Sequence, residues 1–399
     1  LILRFAKRMD SLGTESAFEV LAHARRLEAQ GKSVIHLEIG EPDFSTPDNI
    51  IEAAYRAMKD GATHYTPAAG LPQVREAIAA EMQRRGGVPV SPAQVLVVPG
   101  SKNILHFALL ALIEPGDEVI LPDPGYPVYR SLTNFLGAVA RPVAIREEAD
   151  FRMDLDEVAR NITPRTRMII INSPQNPTGG VLTEQDLDRL AELAQRHDLW
   201  IVSDEIYTEI CFGELPQPIW SRPGLSERTI IMDGLSKTYA MCGWRLGYGV
   251  MPEPLAKQME TLLINTSSCA AAFTQLAAIE ALQAPASQRA VAAMVAEFQR
   301  RRDTMVAGLN SIPGITCHLP AAAFYAFPNV TGTGISSREL GRRLLEEAGV
   351  AGLAGETFGE VGNGHLRFAY TVSQEQISEA VKRIATFVQA AAPAGVGPR

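Results

Sequence analysis

The sequence predicts an α/β protein: an open, mostly parallel β-sheet between layers of helices, with a smaller α+β domain beside it. Three observations carry this. Strand-like and helix-like runs alternate through the middle of the chain, the pattern of repeated βαβ units. Runs such as "MIII" and "IVS" are apolar without alternation, as parallel strands covered on both faces require. After about Glu280 the texture changes to one long helix and shorter strands.

In chain order, "QVLVVPG" (Gln94–Gly100) reads as a buried strand ending in a turn. The helix "SKNILHFALLALIEPGDE" follows and is stopped by Pro115 and Gly116. "EVILPDPGYP" (Glu118–Pro127) is a second strand, and "RMIIINSPQNPTGG" (Arg167–Gly180) a third that runs into a proline-rich turn. Thr183–Asp198 is an amphipathic helix with a Thr183/Asp186 capping pair. Leu199–Tyr207 and Arg228–Lys237 are further strands. Beyond them, Ala284–Asn310 reads as a long helix with a basic cluster at Arg300–Arg302. Short strands follow at Phe324–Val330 and His365–Thr371, with helices near Ser337–Ala348 and Ser373–Ala391. The expected division is a large domain over 48–285, a small domain from 1–47 and 286–390, and a disordered tail over 391–399.

Composition narrows the function classes. A chain of 399 residues exceeds one ordinary core, so two domains are expected. The 46% hydrophobic and 21% charged content is that of a soluble globular protein. A net charge of −8 with no Lys/Arg-rich block opposes nucleic-acid binding. Cys211, Cys242, Cys269 and Cys317 form no CxxC pair and sit apart from histidine, so neither zinc nor any other metal is expected. Scattered thiols fit a reducing cytoplasm. The charge-free run between Glu260 and Glu280 holds Asn265, Thr266, Ser267 and Ser268, which is too polar for a membrane span. The opening "LILRFAKRMD" is apolar for only three residues before Arg4 and does not read as a signal peptide.

Ligands of open parallel sheets sit at the carboxyl ends of the strands. There this chain delivers Gly100-Ser101-Lys102, Tyr126, Asn176, Asp204 with Tyr207, and Ser236-Lys237. Backbone N–H groups at a helix start bind anions, and Gly100 lets a ligand approach; an ordinary turn with a Ser101 cap is the alternative. Asp204 suits pairing with a protonated ring nitrogen, or equally a cap or structural ion pair. Asn176 suits a turn as well as a ligand contact, and Tyr126 suits packing as well as a planar ligand. Arg367, in the apolar strand "HLRFAY", suits a carboxylate or phosphate fork, or an internal ion pair. Lys237 stands in an otherwise apolar run. A desolvated lysine is the type of group that becomes an amine nucleophile, though a lysine at a strand end can also snorkel to water. Ser236 and Arg245 beside it complete a phosphate clamp.

The motifs "SDEIY", "SPQNPTGG", "LSKTYAMCGWRLGY" and "HLRFAYT" together resemble the class I pyridoxal-phosphate aminotransferases of fold type I. The branch is that of bacterial aspartate, aromatic and broad-specificity enzymes, and the resemblance runs from "LEIGEPDFSTP" (Leu37–Pro47) to about Val388. It implies a three-layer fold whose large domain binds pyridoxal 5′-phosphate. Lys237 would form the internal aldimine and shuttle the proton between Cα and C4′. Asp204 would keep the pyridine nitrogen protonated. Asn176 and Tyr207 would hold the ring oxygen, and Tyr126 would stack on the ring. The backbone of Ser101 and Lys102, with the side chains of Ser101, Ser236 and Arg245, would hold the phosphate. Arg367 would fork the substrate α-carboxylate with help from Asn176 and the backbone of Gly40. Tyr65 would reach the phosphate of a neighbouring subunit, which implies a homodimer with shared active sites. The Asn176–Pro177 bond is often cis in the family.

The implied reaction is amino transfer from an L-amino acid to a 2-oxo acid such as 2-oxoglutarate, with ping-pong kinetics. Where relatives often have Gly-Ala-Phe-Tyr this chain has "AAFY" (Ala322–Tyr325), and "LAGETFGE" (Leu353–Glu360) stands where they often have Pro-Gly. The region "HFALLAL" offers no cation for a distal carboxylate, and "GTESAF" (Gly13–Phe18) contributes Phe18 to the pocket. Neutral or aromatic amino acids are therefore expected ahead of strict aspartate. A C–S β-lyase or cyclase would use the same lysine and aspartate. A non-catalytic regulator built on this fold would need a DNA-binding domain, and the residues before Leu37 are too few for one.

Overall fold

The computed structural model describes residues 3–13 and 16–391. The tail expected to be disordered lies outside the described residues, except for Ala391, which ends the helix Gln374–Ala391.

The centre is an eight-stranded sheet. Across it run Val95–Val98, Gly247–Val250, Thr229–Gly234, Trp200–Asp204, Thr166–Asn172, Glu118–Asp123, Val139–Arg146 and Arg152–Met153. The inner pairings are parallel. Gly247–Val250 runs antiparallel to both neighbours, and Arg152–Met153 antiparallel to Val139–Arg146. Side chains alternate between faces along each strand. Val97, Ile169, Ile201 and Ile231 enter one core, while Leu96, Ile170, Val202 and Ile230 enter the other. Both faces are thus covered, which is why these strands read as unbroken apolar runs.

Most elements fall where the sequence places them. The helix Glu184–Arg196 opens on the expected capping box: Asp186 N–H donates to Thr183 Oγ1 at 3.2 Å, and Thr183 N–H to Asp186 Oδ2 at 2.8 Å. Pro285 occupies the first turn of the long helix Pro285–Asn310, where its missing N–H costs nothing. Other elements differ. The strand expected over Phe324–Val330 shortens to Tyr325–Ala326, because Pro328 cannot donate to a ladder. The helix expected over Ser337–Ala348 is α-helical to Arg343 and then widens into a π turn, Leu344–Ala348. Val139–Arg146 and Gly247–Val250 are strands that the sequence reading passes over.

A separate apolar cluster joins Leu37, Phe298, Phe324, Tyr325, Leu366, Phe368 and Ile384, and it reaches Ile206, Tyr207 and Ile210 beyond the strand Trp200–Asp204. Around it lie a three-stranded antiparallel sheet and the two-residue pair of Ile35–His36 with Val350–Ala351. No helix among the described residues is long and apolar enough to cross a membrane.

Candidate active site

The parallel strands end at Asp123, Asn172, Asp204 and Gly234. The loops leaving them, together with the turn after Val98, surround a cavity of about 550 Å³. Ser101, Lys102, Tyr126 and Asn176 line it, as do Asp204, Tyr207, Ser236, Lys237 and Arg245. Gly40 and Arg367 enter from the second cluster, and Ala17 and Phe18 close the rim. Every site residue named from the sequence is therefore brought together except Tyr65. Tyr65 is 89% exposed and lines no part of the cavity.

One wall is built for an anion. Ser101 stands at the N-cap of the helix Lys102–Leu112, yet its side chain makes no capping bond. The first N–H groups of that eleven-residue helix point outward at its positive end. Gly100 has φ +85, and a Cβ there would lie 2.2 Å from Arg245 Nη2. Glycine is thus required twice, by its dihedral and by the guanidinium against it. Arg245 is itself left-handed at φ 53, and its Nη1 donates to Cys242 O at 2.9 Å. The glycines of the neighbouring strand fit the same plan: a Cβ on Gly247 would lie 2.3 Å from Ser101 N. A phosphate fits this cradle of helix start, hydroxyls and guanidinium.

The floor holds a buried carboxylate. Asp204 accepts from the Tyr129 phenol at 2.5 Å and from Ile206 N–H at 3.3 Å. Burial raises its pKa from 3.8 to about 7, and the Tyr129 hydrogen bond works against that rise. A cation would favour the charged form, and among the described residues none pairs with this carboxylate. A protonated ring nitrogen would complete the pair, so the structural-ion-pair alternative is not realised. Burial likewise holds Tyr129 and Tyr207 well above the ordinary phenol range. Behind the floor, Arg85 bridges Asp233 and Glu205, each at 2.7 Å, and Tyr248 and Trp220 donate to the same two acids.

Lys237 Nζ donates to Gly40 O at 2.7 Å and lies 3.6 Å from Cys242 Sγ. Gly40 again has no room for a side chain: a Cβ would sit 2.1 Å from Tyr325 Oη. Tyr325 shares a 2.7 Å hydrogen bond with Tyr207. Arg367 is buried, with Nη1 donating to Asn176 Oδ1 at 3.3 Å and Nη2 donating to Glu38 O. Its guanidinium carbon lies 4.6 Å from the Tyr325 ring centre and 5.0 Å from that of Phe358. Asn176 is fixed by its own turn, where Asn172 Oδ1 accepts its N–H at 2.9 Å. The Asn176–Pro177 bond is cis, as are Asp123–Pro124 and Ser173–Pro174.

Tyr129, Tyr325, Phe358 and Cys242 were not singled out from the sequence as site residues. Tyr129 carries a usable signal, since it follows Tyr126 by one helical turn in "YPVY", and the two rings meet edge to face at 5.6 Å. Cys242 comes to the site within the Ser236–Arg245 segment itself, against Lys237 and the Ser236 carbonyl. Tyr325 and Phe358 reach it through packing between separate segments, which no local pattern encodes.

Comparison with known proteins adds a family to this geometry. Residues 32–384 match the family model "Aminotransferase class I and II". The chain is 38% identical to aromatic-amino-acid aminotransferase 2 of Thermococcus litoralis, over 89% of this chain and 92% of that one. It is 40% identical to the aspartate/prephenate aminotransferase of Cereibacter sphaeroides, over 91% and 93%. Among solved structures, aspartate aminotransferase from Thermus thermophilus with maleate superposes with a TM-score of 0.92 at 35% identity, covering 96% of this chain and 100% of that one.

Proposed function

The chain belongs to the class I and II aminotransferases, and we propose that it transfers the amino group with pyridoxal 5′-phosphate, which Lys237 would anchor in the resting enzyme. When bound, this group supplies an electrophilic carbon for the amine and a ring that withdraws electron density from the substrate Cα. Lys237 Nζ, freed by the incoming amine, would move the proton between the substrate Cα and C4′, in opposite directions in the two half-reactions. Asp204 pairs with the ring nitrogen and keeps it protonated. Asn176 and Tyr207 hold the ring oxygen, and Tyr126 covers the ring face. The backbone of Ser101 and Lys102 and the side chains of Ser101, Ser236 and Arg245 hold the phosphate. Arg367, with Asn176 and the backbone of Gly40, orients the α-carboxylate so that the Cα–H bond stands across the ring. What supports this reading above all is the approach of Arg245 to Gly100 beside Lys237, a cradle with no room for a side chain.

The same reading divides the protein into a large domain over 48–285, which holds the cofactor, and a small one from 1–47 and 286–390, which brings Gly40 and Arg367. It makes the enzyme a cytoplasmic homodimer, with Tyr65 completing the partner's phosphate site. The proposed donor is a neutral, aromatic or aspartate-type L-amino acid, with the first two favoured, and the acceptor is a 2-oxo acid such as 2-oxoglutarate. Phe18 on the cavity rim favours apolar and aromatic side chains.

Replacing Lys237 by Ala is the direct test. Turnover should fall by at least about four orders of magnitude, and the absorbance of the lysine-bound cofactor should vanish. Turnover within tenfold of wild type would overturn the assignment. A panel of amino acids against 2-oxoglutarate, pyruvate and oxaloacetate then fixes the donor and acceptor. Pyruvate and ammonia released without conversion of the cofactor to its amine form would instead indicate β-elimination.

A further inference from the structure

Asp123 ends the strand Glu118–Asp123 and is buried just outside the cavity wall. Its carboxylate accepts three hydrogen bonds. Glu360 N–H donates to Oδ2 at 3.2 Å, Val361 N–H to Oδ1 at 3.1 Å, and Arg130 Nη2 to Oδ2 at 2.8 Å. Two of the three come from a turn more than two hundred positions away in sequence. Gly359 opens that turn at φ +142, and a Cβ on it would lie 2.0 Å from Asp123 Oδ1. The residue before it, Phe358, is tied to the same strand end, because Gly125 N–H donates to Phe358 O at 2.8 Å. Phe358 in turn packs its ring against Arg367. On the opposite side, Gln175 Nε2 donates to Pro124 O at 2.6 Å and so ties the Asn176 turn to the same loop. The loop 123–125 thus grips both neighbours of Arg367, the ring beside it and the amide that its Nη1 meets.

We propose that Asp123 is a positioning residue for Arg367, acting through the Gly359–Val361 turn and Phe358 to hold the guanidinium at the angle that forks the substrate α-carboxylate. This rests on the reading of Arg367 given above. Arg367 stands on a strand of the second apolar cluster, and its fork is useful only at one distance from Lys237, which stands on the large sheet's side. Asp123 spans that gap with a buried carboxylate receiving two backbone N–H groups, an arrangement both short and directional. Substrate and product both carry the carboxylate, so the effect falls on the two half-reactions alike.

The holoenzyme with Asp123→Asn tests this, because the new amide turns one acceptor oxygen into a donor facing N–H groups. Steady-state kinetics with 2-oxoglutarate and the faster of aspartate and phenylalanine should show both KM values raised about tenfold, with kcat within about twofold and cofactor affinity unchanged. Gly359→Ala, which pushes the turn off the carboxylate, should give the same pattern. Adding Phe358→Leu to Asp123→Asn should raise KM little further, since both act along one path. Unchanged KM in Asp123→Asn and Gly359→Ala, with KM raised in Arg367→Lys, overturns the proposal and leaves the role of Arg367 standing. Unchanged KM in Arg367→Lys as well overturns the role of Arg367 itself. A joint fall in kcat, cofactor affinity and melting temperature would mark Asp123 as merely structural and also overturn the proposal.

Discussion

Tyr129 and Asp204 share a 2.5 Å hydrogen bond in the floor of the cavity, the phenol donating to Oδ2. The bond favours a charged carboxylate at a place where burial favours a neutral one, and the outcome is a pKa of about 7. Without cofactor, the folded state therefore keeps a proton that the unfolded chain releases near 3.8. The neutral carboxyl's contribution to stability is complete below about pH 4 and is lost as pH rises through about 7. The rise from 3.8 to about 7 corresponds to roughly 4 kcal/mol, at about 1.4 kcal/mol per pH unit. Denaturant unfolding of cofactor-free protein at pH 4 to 8 should show this decline relative to Asp204→Asn. Tyr129→Phe should extend the decline to higher pH, and identical pH profiles for wild type and Asp204→Asn would contradict the account.

Gly100→Ala should weaken cofactor binding without unfolding the protein. The new methyl would lie 2.2 Å from Arg245 Nη2 at φ +85, so the guanidinium must leave the cradle. A loss of about tenfold to a hundredfold in affinity is expected, the size of one charge-assisted contact to phosphate. Equilibrium titration of apo-protein with cofactor measures it, alongside circular dichroism to show the fold intact.

Arg85→Met should be a stability variant. It leaves Asp233 and Glu205 buried without the cation that each meets at 2.7 Å. Breaking such a buried network costs about 3–5 kcal/mol. Chemical denaturation at neutral pH reads this directly. Low pH, which neutralises the two acids, should narrow the gap to wild type.

Tyr65 gives a test of subunit sharing. If it serves the neighbour's phosphate, mixed dimers of Lys237→Ala with Tyr65→Ala subunits contain one site with both lesions and one intact site. Refolding the two inactive parents together should then restore up to about half of the wild-type activity per mixed dimer, as expected for a C2 pair with shared sites. No recovery on mixing would assign Tyr65 elsewhere.

What could be read from the sequence, and what could not, divides along physical lines. The buried parallel strands were legible because both faces are apolar, and the turn residues after them because glycine, proline and asparagine have few other uses. Lys237 stood out because an amine among small and apolar residues is costly unless it works. Gly247–Val250 was missed because two of its four residues are glycine, which argues against a strand until the turn at Gly100–Ser101 is seen pressing on it. Val139–Arg146 was missed because Pro142 and two arginines interrupt a strand that lies near the sheet edge and is largely uncovered at its start. In the sequence Tyr325 is only the last residue of "AAFY"; its place against Gly40, Tyr207 and Arg367 follows from packing between distant segments. Asp123 lies within the expected strand "EVILPDPGYP"; only the folded chain sets it against Glu360 and Val361.

The crowding at Gly40, Gly100 and Gly247 has a consequence for anyone who would redesign this enzyme. A methyl group at any of the three would collide with Tyr325, Arg245 or Ser101, so variants at these positions would be lost from a mutational library. Diversity belongs instead at the rim, where Ala17 and Phe18 meet the cavity and Phe18 is largely exposed. New donors would be gained by reshaping that entrance, while the glycine-lined cradle is passed on unaltered from parent to variant.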